Sequence, residues 1–487
     1  MAKSTIKKET YYEGATTHYK IAYRGLLDGT PQQIAARELL FLIARSKSAH
    51  RNNSLMASAH KKHVQNLGSV KVKWKKKVNS RVKKANVIQK LWDEIADNPS
   101  IDNYGDFHSV QTLWNTSMFI SGEAISRMVI RKRKGITIPL ALQHIDNIYL
   151  DPRYNGDYDN IPNLKNGIQF KDGAPYRYFF SKEPESKLIL PTSVSSEKIP
   201  VDAKEIIHLF IQDMPGQWRG IPIASPIIMP LYALDDLNEA TVRKQQAAQA
   251  VAWVVENSKP SSLLAIGRNH VVSADGSSTH PVDAIEEKRK VTFSTAGETQ
   301  YLESGETIQF FQGEGIGNNY DSLVLYETRK IIQSLGLTYQ QVTGDINQLS
   351  FSSLKFIINE IKARTDFLYN TYIISQGLKP FLNKFLELCQ IHGYNVNNVY
   401  PCFQYPKSYS IDVLKDVQAD LLEISNQLVP KADKLQERGY EYEDIQHDLD
   451  IMKEFPDLQQ DVTILGQGNS DNSNNSNSNN SNTGTQP

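Results

Sequence analysis

The chain has 487 residues, enough for about three structural units. Its 40% hydrophobic residues predict that most of it folds, while its mean hydropathy of −0.45 and its short apolar runs argue against a membrane span, which needs about 20 apolar residues. The first ten residues lack the apolar segment of a signal peptide. Two cysteines, Cys389 and Cys402, are too few for a disulfide scaffold or a cysteine zinc site. We therefore expect folding in a reducing compartment.

The net charge is zero, but the charges are unevenly distributed. Residues 1–90 contain 20 Lys and Arg against 4 Asp and Glu, and residues 394–487 contain 6 against 15. A basic head and an acidic tail predict contact with a polyanion or an acidic neighbour, or head-to-tail pairing between copies.

The first half of the chain mixes helical and strand patterns. Residues 1–35 are rich in tyrosine and predict an extended arm, and residues 32–64 show helical spacing. Residues 70–74 alternate apolar and lysine side chains, which is typical of a strand, and a basic run follows. Further helices are predicted over 86–100 and 106–122, and strands over 125–131, 136–145, 176–180 and 206–211.

The second half predicts long helices around a small insertion. Residues 226–257 form an amphipathic helix, and 258–319 change to short β-like runs rich in Ser and Gly. A helix over 320–335 and a polar loop over 337–350 follow. The remaining segments are predicted as a long helix over 351–392 that is kinked near Gly377–Pro380, further helix over 410–455, and a disordered Asn/Ser-rich tail.

Catalytic motifs are absent from the sequence, including a P-loop, HExxH and GxSxG. The glycines of 313–317 lack a phosphate ligand and indicate a bend. His60 and His63 are interpreted as an exposed basic helix end, and the cysteines as core residues. We therefore expect no enzyme activity, no catalytic residue, no metal and no cofactor.

The basic segment 61–84 supports two interpretations equally well. It could contact phosphates, with Trp74 available for stacking on bases, or it could be a solvated face or a contact with an acidic protein. Its predicted basic surface consists of Lys71, Lys73, Lys75, Lys76, Lys77, Arg81, Lys83 and Lys84.

An ordered set of motifs resembles the lambda-type portal protein family of tailed bacteriophages, the head-to-tail connectors. The longest is GQWRGIPIASPIIMPLYALDDLNEATVRKQQAA, at 216–248. It is followed by LESGETIQFFQ at 302–312, by SLGLTYQQVTGDINQLSFSSLKFIINE at 334–360 and by ERGYEYEDI at 437–445. Ser304, Phe351 and Lys355 depart from the family's usual Pro, Tyr and Arg, and residues 61–90 are unusually basic for the family.

The resemblance implies an α+β portal fold, assembled as a ring usually of twelve copies. It implies a wing, long stem helices, a small α/β clip insertion, a kinked long helix and a helical crown. The expected parts are an N-terminal arm (1–35), wing (36–225), descending stem helix (226–257), clip (258–319), returning stem helix (320–336), tunnel loop (337–353), long kinked wing helix (354–393), wing closure and crown (394–465), and disordered tail (466–487).

The resemblance also implies function and partners. The ring would assemble in the host cytoplasm and lie at the portal vertex of the virion. Double-stranded DNA would be packaged and ejected through it. Expected partners are other copies of the chain, the terminase large subunit, a head-completion or tail adaptor protein, and the major capsid or scaffolding protein, with no membrane.

Two sets of side chains would serve these roles. The DNA channel would be lined by Gln340, Gln341, Thr343, Asp345, Asn347, Gln348 and Ser350. The charged residues of the stem would be Asp235, Asp236, Glu239, Arg243 and Lys244.

Two alternatives stay open on sequence alone. One is a non-portal nucleic-acid-binding structural protein that uses segment 61–84, and the other is a hydrolase or nuclease with unrecognised ligands. A large ring in solution would separate the portal interpretation from the first, and loss of activity with a chelator would support the second.

Overall fold

The fold is seen in a computed structural model of the chain. It describes residues 29–76, 85–156, 160–182, 197–250, 254–257, 306–309, 318–346, 349–406, 412–431, 434–435, 449 and 453. Residues 1–28 of the predicted arm, most of the insertion 258–319, the tail, Lys77, Arg81, Lys83, Lys84, Asn347 and Gln348 lie outside these residues. Residues 31–35, predicted as the end of the arm, belong to a helix instead.

The described helices and strands mix along the chain. The helices are α1 (Pro31–Asn52), α2 (Ser54–Leu67), α3 (Ala85–Asp97), α4 (Phe107–Ser121), α5 (Ile228–Ala250), α6 (Asn318–Ser334), α7 (Tyr339–Thr343), α8 (Phe351–Leu368), α9 (Lys379–Ile391) and α10 (Val413–Ser425). The strands are β1 (Lys71–Lys76), β2 (Glu123–Ile130), β3 (Leu140–Ile145), β4 (Leu164–Lys165), β5 (Ile168–Lys171), β6 (Ala174–Ser181), β7 (Lys198–Asp202), β8 (Ile206–Phe210), β9 (Val254–Asn257), β10 (Glu306–Gln309) and β11 (Val399–Gln404).

The chain divides into two compact units. The first contains residues 1–229 and 329–487, and its described sheets have the strand orders β3-β2-β8, β4-β5-β6-β7 and β1-β11, with antiparallel neighbours. The second contains residues 230–328, where β9 pairs antiparallel with β10. Within this second unit, the hydroxyl of Tyr320 on α6 donates a hydrogen bond of 2.8 Å to Asn238 Oδ1 on α5.

A group of aromatic side chains lies in the core of the first unit. Trp92, Phe107 and Phe381 pack together, with the Phe107 and Phe381 rings stacked at 5.6 Å between centroids. Trp114 on α4 and Cys389 on α9 are also buried there. The core role predicted for Cys389 is therefore confirmed, and α4 and α9 form the centre of this unit.

Several element bounds differ from the sequence-based ones for local reasons. The helix predicted over 32–64 is interrupted at Asn53, whose side chain caps α2 by accepting from the Met56 N–H. The helix predicted to reach 257 ends at Ala250, and β9 follows in a valine-rich run that favours a strand. The strand predicted from 136 begins only at Leu140, after Pro139, which has no N–H to donate to a sheet.

The long helix predicted over 351–392 has an unusual middle. Residues Tyr369–Leu378 form a π-helix between α8 and α9, and the helix continues through Pro380. The wider turn places Gly377 against Trp114 and Leu209, where an added Cβ would lie 3.0 Å from both side chains. Of the helix predicted over 410–455, α10 covers Val413–Ser425, and the described residues 431, 434–435, 449 and 453 are also helical.

Candidate functional site

The segment between α6 and α8 is the candidate channel loop, and the structure divides it into two parts. We call residues 335–343 the loop base and residues 344–350 the loop tip. The base contains the short helix α7, whose Val342 is buried. Arg329 on α6 lies over the Tyr339 ring, 5.4 Å from its centroid. The base is therefore packed on its own unit, which corrects the prediction of a polar loop throughout.

The predicted channel side chains of the base have structural partners. Gln341 is half-buried, and its Oε1 accepts from the Thr338 N–H at 2.8 Å, which caps α7. The Thr343 hydroxyl donates to the Tyr339 carbonyl, and Gln340 is half-buried. Gln341 is therefore committed to holding the loop base together.

The loop tip is more open. Gly344 ends α7 in the left-handed region at φ +73°, and an added Cβ would have open space around it. Asp345 and Ser350 are exposed, and Ile346 is 68% exposed. Ser350 also begins α8, since its hydroxyl accepts from the Ser353 N–H. The described part of the tip thus presents one carboxylate and no cation.

Arg364 on α8 lies against the loop base. Its Nη2 donates to the carbonyl of Leu335 at 2.8 Å, at the end of α6. Gly336, at φ +67°, turns the chain there, and a Cβ at this position would overlap the Arg364 guanidinium. Partial burial lowers the pKa of Arg364, an effect that the nearby Glu360 opposes.

The basic strand β1 presents its lysines and buries its apolar residues. Lys71 is exposed and Lys73 and Lys75 are half-buried, whereas Val72 and Trp74 are buried. Trp74 packs on Trp92 and Phe385, with centroid distances of 6.3 and 5.5 Å. The idea that Trp74 is available for stacking on bases is therefore wrong, because its ring belongs to the core. For Lys76 only the backbone is described.

The stem residues lie on the exposed face of α5. Asp235, Asp236, Glu239, Arg243 and Lys244 are all exposed, and Arg243 donates to Glu239 one turn away. Such exposed i, i+4 pairs stabilise a helix only slightly. The face is solvated within one chain.

A buried ion pair just before α5 was not predicted from the sequence. Arg219 and Glu123 are 1% and 0% exposed, and two guanidinium nitrogens donate to the carboxylate at 2.6–3.1 Å. Arg219 also donates to the Leu150 and Asn166 carbonyls, and the carboxylate accepts from the Gly220 N–H. Burial would raise the pKa of Glu123, but Arg219 and a hydrogen bond with His208 hold it well below its usual range.

Two glycines permit this buried pair. An added Cβ at Gly220 would overlap the backbone of Gly122, and one at Gly122, where φ is +83°, would overlap the backbone of Ile221. The GQWRG turn therefore lies directly on the end of α4 and the start of β2. We call Glu123, His208, Arg219 and these two glycines the anchor.

The histidines of α2 are placed differently from the prediction of an exposed helix end. His63 is 6% exposed, and its ring lies 4.9 Å from the Phe119 ring. His60 packs on His50 and Phe119 and is half-buried. Burial lowers the pKa of His60 to about 4 and of His63 to about 3, helped by nearby positive charge. The i, i+3 spacing points both rings at the core because α2 is packed between α1 and α4.

The described residues contain neither a membrane-spanning helix nor a metal-binding cluster. None of the helices in these ranges is long and apolar enough to cross a membrane. In the same part of the chain, no group of three or more His, Cys, Asp or Glu side chains is placed to hold a metal ion.

Three solved structures resemble the chain loosely over most of its length. A chain from the neck of a native GTA particle, computed with C12 symmetry, is 12% identical and has a TM-score of 0.43, covering 81% of this chain and 93% of that chain. A chain from the virion of a native gene transfer agent particle is 12% identical with a TM-score of 0.42, covering 82% and 93%. An HK97-family phage portal protein from Corynebacterium diphtheriae is 10% identical with a TM-score of 0.31, covering 77% and 96%.

At these scores the structural likeness is loose, and the assignment rests on sequence. No curated protein matches the chain. The family model described as phage portal protein, lambda family, matches residues 27–368, which include the anchor, α5, the loop base and the loop tip. With most of its length matched in this way, the chain belongs to the lambda family of phage portal proteins.

Proposed function

We propose that the chain forms a closed ring, of twelve copies as is usual in the family, through which double-stranded DNA is packaged and ejected. The observation that carries the proposal is the family match over residues 27–368. In the virion the protein acts as the portal, the head-to-tail connector of a phage particle. The terminase large subunit would dock on the ring during packaging, and a tail adaptor would replace it later.

The division of the chain supports the proposed parts. The second unit spans residues 230–328, close to the 226–336 proposed for the two stem helices and the clip. A compact segment inserted in the sequence between two parts of the first unit suits a stem that ends in a clip. The remaining residues would form the wing, with the crown near the C-terminus.

The loop tip is the proposed constriction of the channel. DNA must slide through it in both directions, so each contact has to be weak. A cation at this point would be repeated around the ring, and phosphate contacts of that kind add up. The described tip carries Asp345, the exposed Ile346 and the hydroxyl of Ser350 instead, and Asp345 would repel passing phosphates.

A first experiment places lysines at the tip. Asp345→Lys with Gln348→Lys should still give normal particles, but DNA packaging should slow by about tenfold or stall, since about 24 added cations in a twelve-copy ring would bind phosphates. The measurement is packaged DNA per particle over time. Gln390→Lys, at an exposed position of α9, is the matched control. Wild-type packaging rates in the double variant would remove the tip from the channel.

A second experiment addresses the basic strand. Exchanging Lys71, Lys73 and Lys75 for Gln should reduce incorporation of the portal into capsids, or retention of DNA, by several-fold. The free energy of unfolding should change by less than about 1 kcal/mol, because Lys71 is exposed and Lys73 and Lys75 are only partly buried. Unchanged particle yield and DNA content would mean that the strand is only a solvated face.

A further inference from the structure

One side chain of α8 is hydrogen-bonded to the start of the loop base. The guanidinium of Arg364 donates to the Leu335 carbonyl at 2.8 Å. That carbonyl follows the last turn of α6, where helix carbonyls lack partners within the helix and attract positive charge. Arg364 therefore supplies both a hydrogen bond and a cation at the point where the chain leaves α6.

The fit between Arg364 and the turn depends on Gly336. The guanidinium fills the space that a Cβ at Gly336 would need. A planar guanidinium can lie flat on a glycine in this way, whereas a tetrahedral ammonium group does not have this shape. The contact is therefore specific for this pair of residues.

The rest of the loop base is packed less completely. A cavity of about 100 Å³ lies between α2, α8 and the loop base, next to Arg364, with His63, Thr338, Gln341 and Glu360 in its lining. Thr338 Oγ1 and Gln341 Nε2 are buried there without a hydrogen-bond partner among the described residues. The cavity has room for about three waters. Side chains that border water-sized space resist movement less than close-packed ones. The contact with Arg364 therefore contributes a larger share of what holds the loop base in place.

We propose that Arg364 is a positioning residue that fixes the loop base to α8, so that only the loop tip is free to move. The inference rests on the proposed function in one respect, namely that the tip lines the channel. A fixed base would keep the copies of the tip at one height around a ring. Without this contact the base would be held only by its other packing, such as the buried Val342, and it would move more readily together with the tip.

Amide hydrogen exchange on the purified protein tests the contact without DNA. Arg364→Ala should speed exchange in residues 336–343 by about tenfold or more, because a charge-assisted hydrogen bond and its packing are lost. Exchange in α4 and α9 should stay as in the wild type. Arg364→Lys, which keeps one donor, should give an intermediate rate. Lys362→Ala, an exposed cation on the same helix, is the matched control and should have no effect.

Two results of that experiment would overturn the proposal. One is wild-type protection of residues 336–343 in Arg364→Ala. The other is faster exchange to the same extent in α4 and α9, which would mean that Arg364 only stabilises the whole unit.

A double-mutant cycle with Gly336→Ala tests the fit itself. The single Gly336→Ala change should lower the denaturant midpoint through the overlap with Arg364 and through the strained φ. In the Arg364→Ala background the overlap is gone, so Gly336→Ala should lower the denaturant midpoint clearly less. Equal costs in the two backgrounds would contradict the proposed contact.

A packaging assay separates this proposal from the proposed function. If Arg364→Ala frees the loop base in the exchange experiment and also lowers packaging at normal particle assembly, both are supported. If the base is freed but packaging is unchanged, the contact stands and the assignment of the tip to the channel falls.

Discussion

Arg219→Ala should destabilise the first unit by about 3–5 kcal/mol, the cost typical of leaving one partner of a buried ion pair alone. The carboxylate of Glu123 is fully buried and would keep only the Gly220 N–H and His208 as partners. The Leu150 and Asn166 carbonyls would lose their donor as well. Urea unfolding followed by tryptophan fluorescence measures the loss, because Trp114 lies in the neighbouring core.

The anchor also predicts how variants combine. Glu123→Ala should cost a similar amount, and the double variant should cost less than the sum, since each single change leaves a buried charge unpaired. Arg127→Ala is the matched control. Its partner Glu205 forms an ion pair at 2.9 Å, but both side chains are about 40% exposed, so the loss should stay below about 1 kcal/mol. Equal losses of stability in Arg219→Ala and Arg127→Ala would contradict the prediction that the buried pair of the anchor stabilises the unit more than an exposed ion pair does.

The second large effect is a loss of stability in mild acid. The folded protein keeps His63 neutral, with its pKa lowered to about 3 by burial and by the positive charges of Arg364 and His60. The unfolded chain binds a proton at that side chain below pH 6.5, so folding stability is full above this pH and falls as the pH drops further. At pH 5 His63 alone should cost about 2 kcal/mol relative to pH 7. His60, which faces His50 and Lys61, adds to the loss in the same direction.

Unfolding curves at pH 7 and pH 5 check this prediction. His63→Gln should be less stable than the wild type at pH 7, because it loses contact with Phe119, yet it should lose about 2 kcal/mol less between the two pH values. Gln65→Ala, at an exposed position of the same helix, removes no ionisable group and should keep the wild-type pH dependence of stability. A wild-type dependence in His63→Gln would show that His63 does not drive the acid effect.

Sequence patterns predicted the elements whose signals are local. Strand β1 follows from its strict alternation of valine and tryptophan with lysine, and α4 from its apolar stripe between Asp106 and Gly122. The family resemblance, carried by ordered motifs, was confirmed by the match over residues 27–368. These features depend on neighbouring residues and on motif order, both of which a sequence displays.

Other features depend on distant partners and could not be predicted. Glu123 and Arg219 are 96 positions apart, and no spacing rule pairs them. The lysines beside His60 and His63 suggested an exposed helix end, but α1 and α4 cover the other side of α2 and bury the rings. The sequence predicted Gln341 as a free polar side chain in the channel, but its Oε1 accepts from the Thr338 N–H and caps α7. In each case tertiary packing decided the role of the residue.

The central claim, that copies of this chain close into a portal ring, is tested most directly by imaging the purified protein by electron microscopy and weighing the assembly by native mass spectrometry. We expect closed rings with a central channel and the mass of twelve chains of 55.1 kDa each. A different small ring number would correct the copy count alone. Monomers, or open chains without a channel at every protein concentration, would contradict the account.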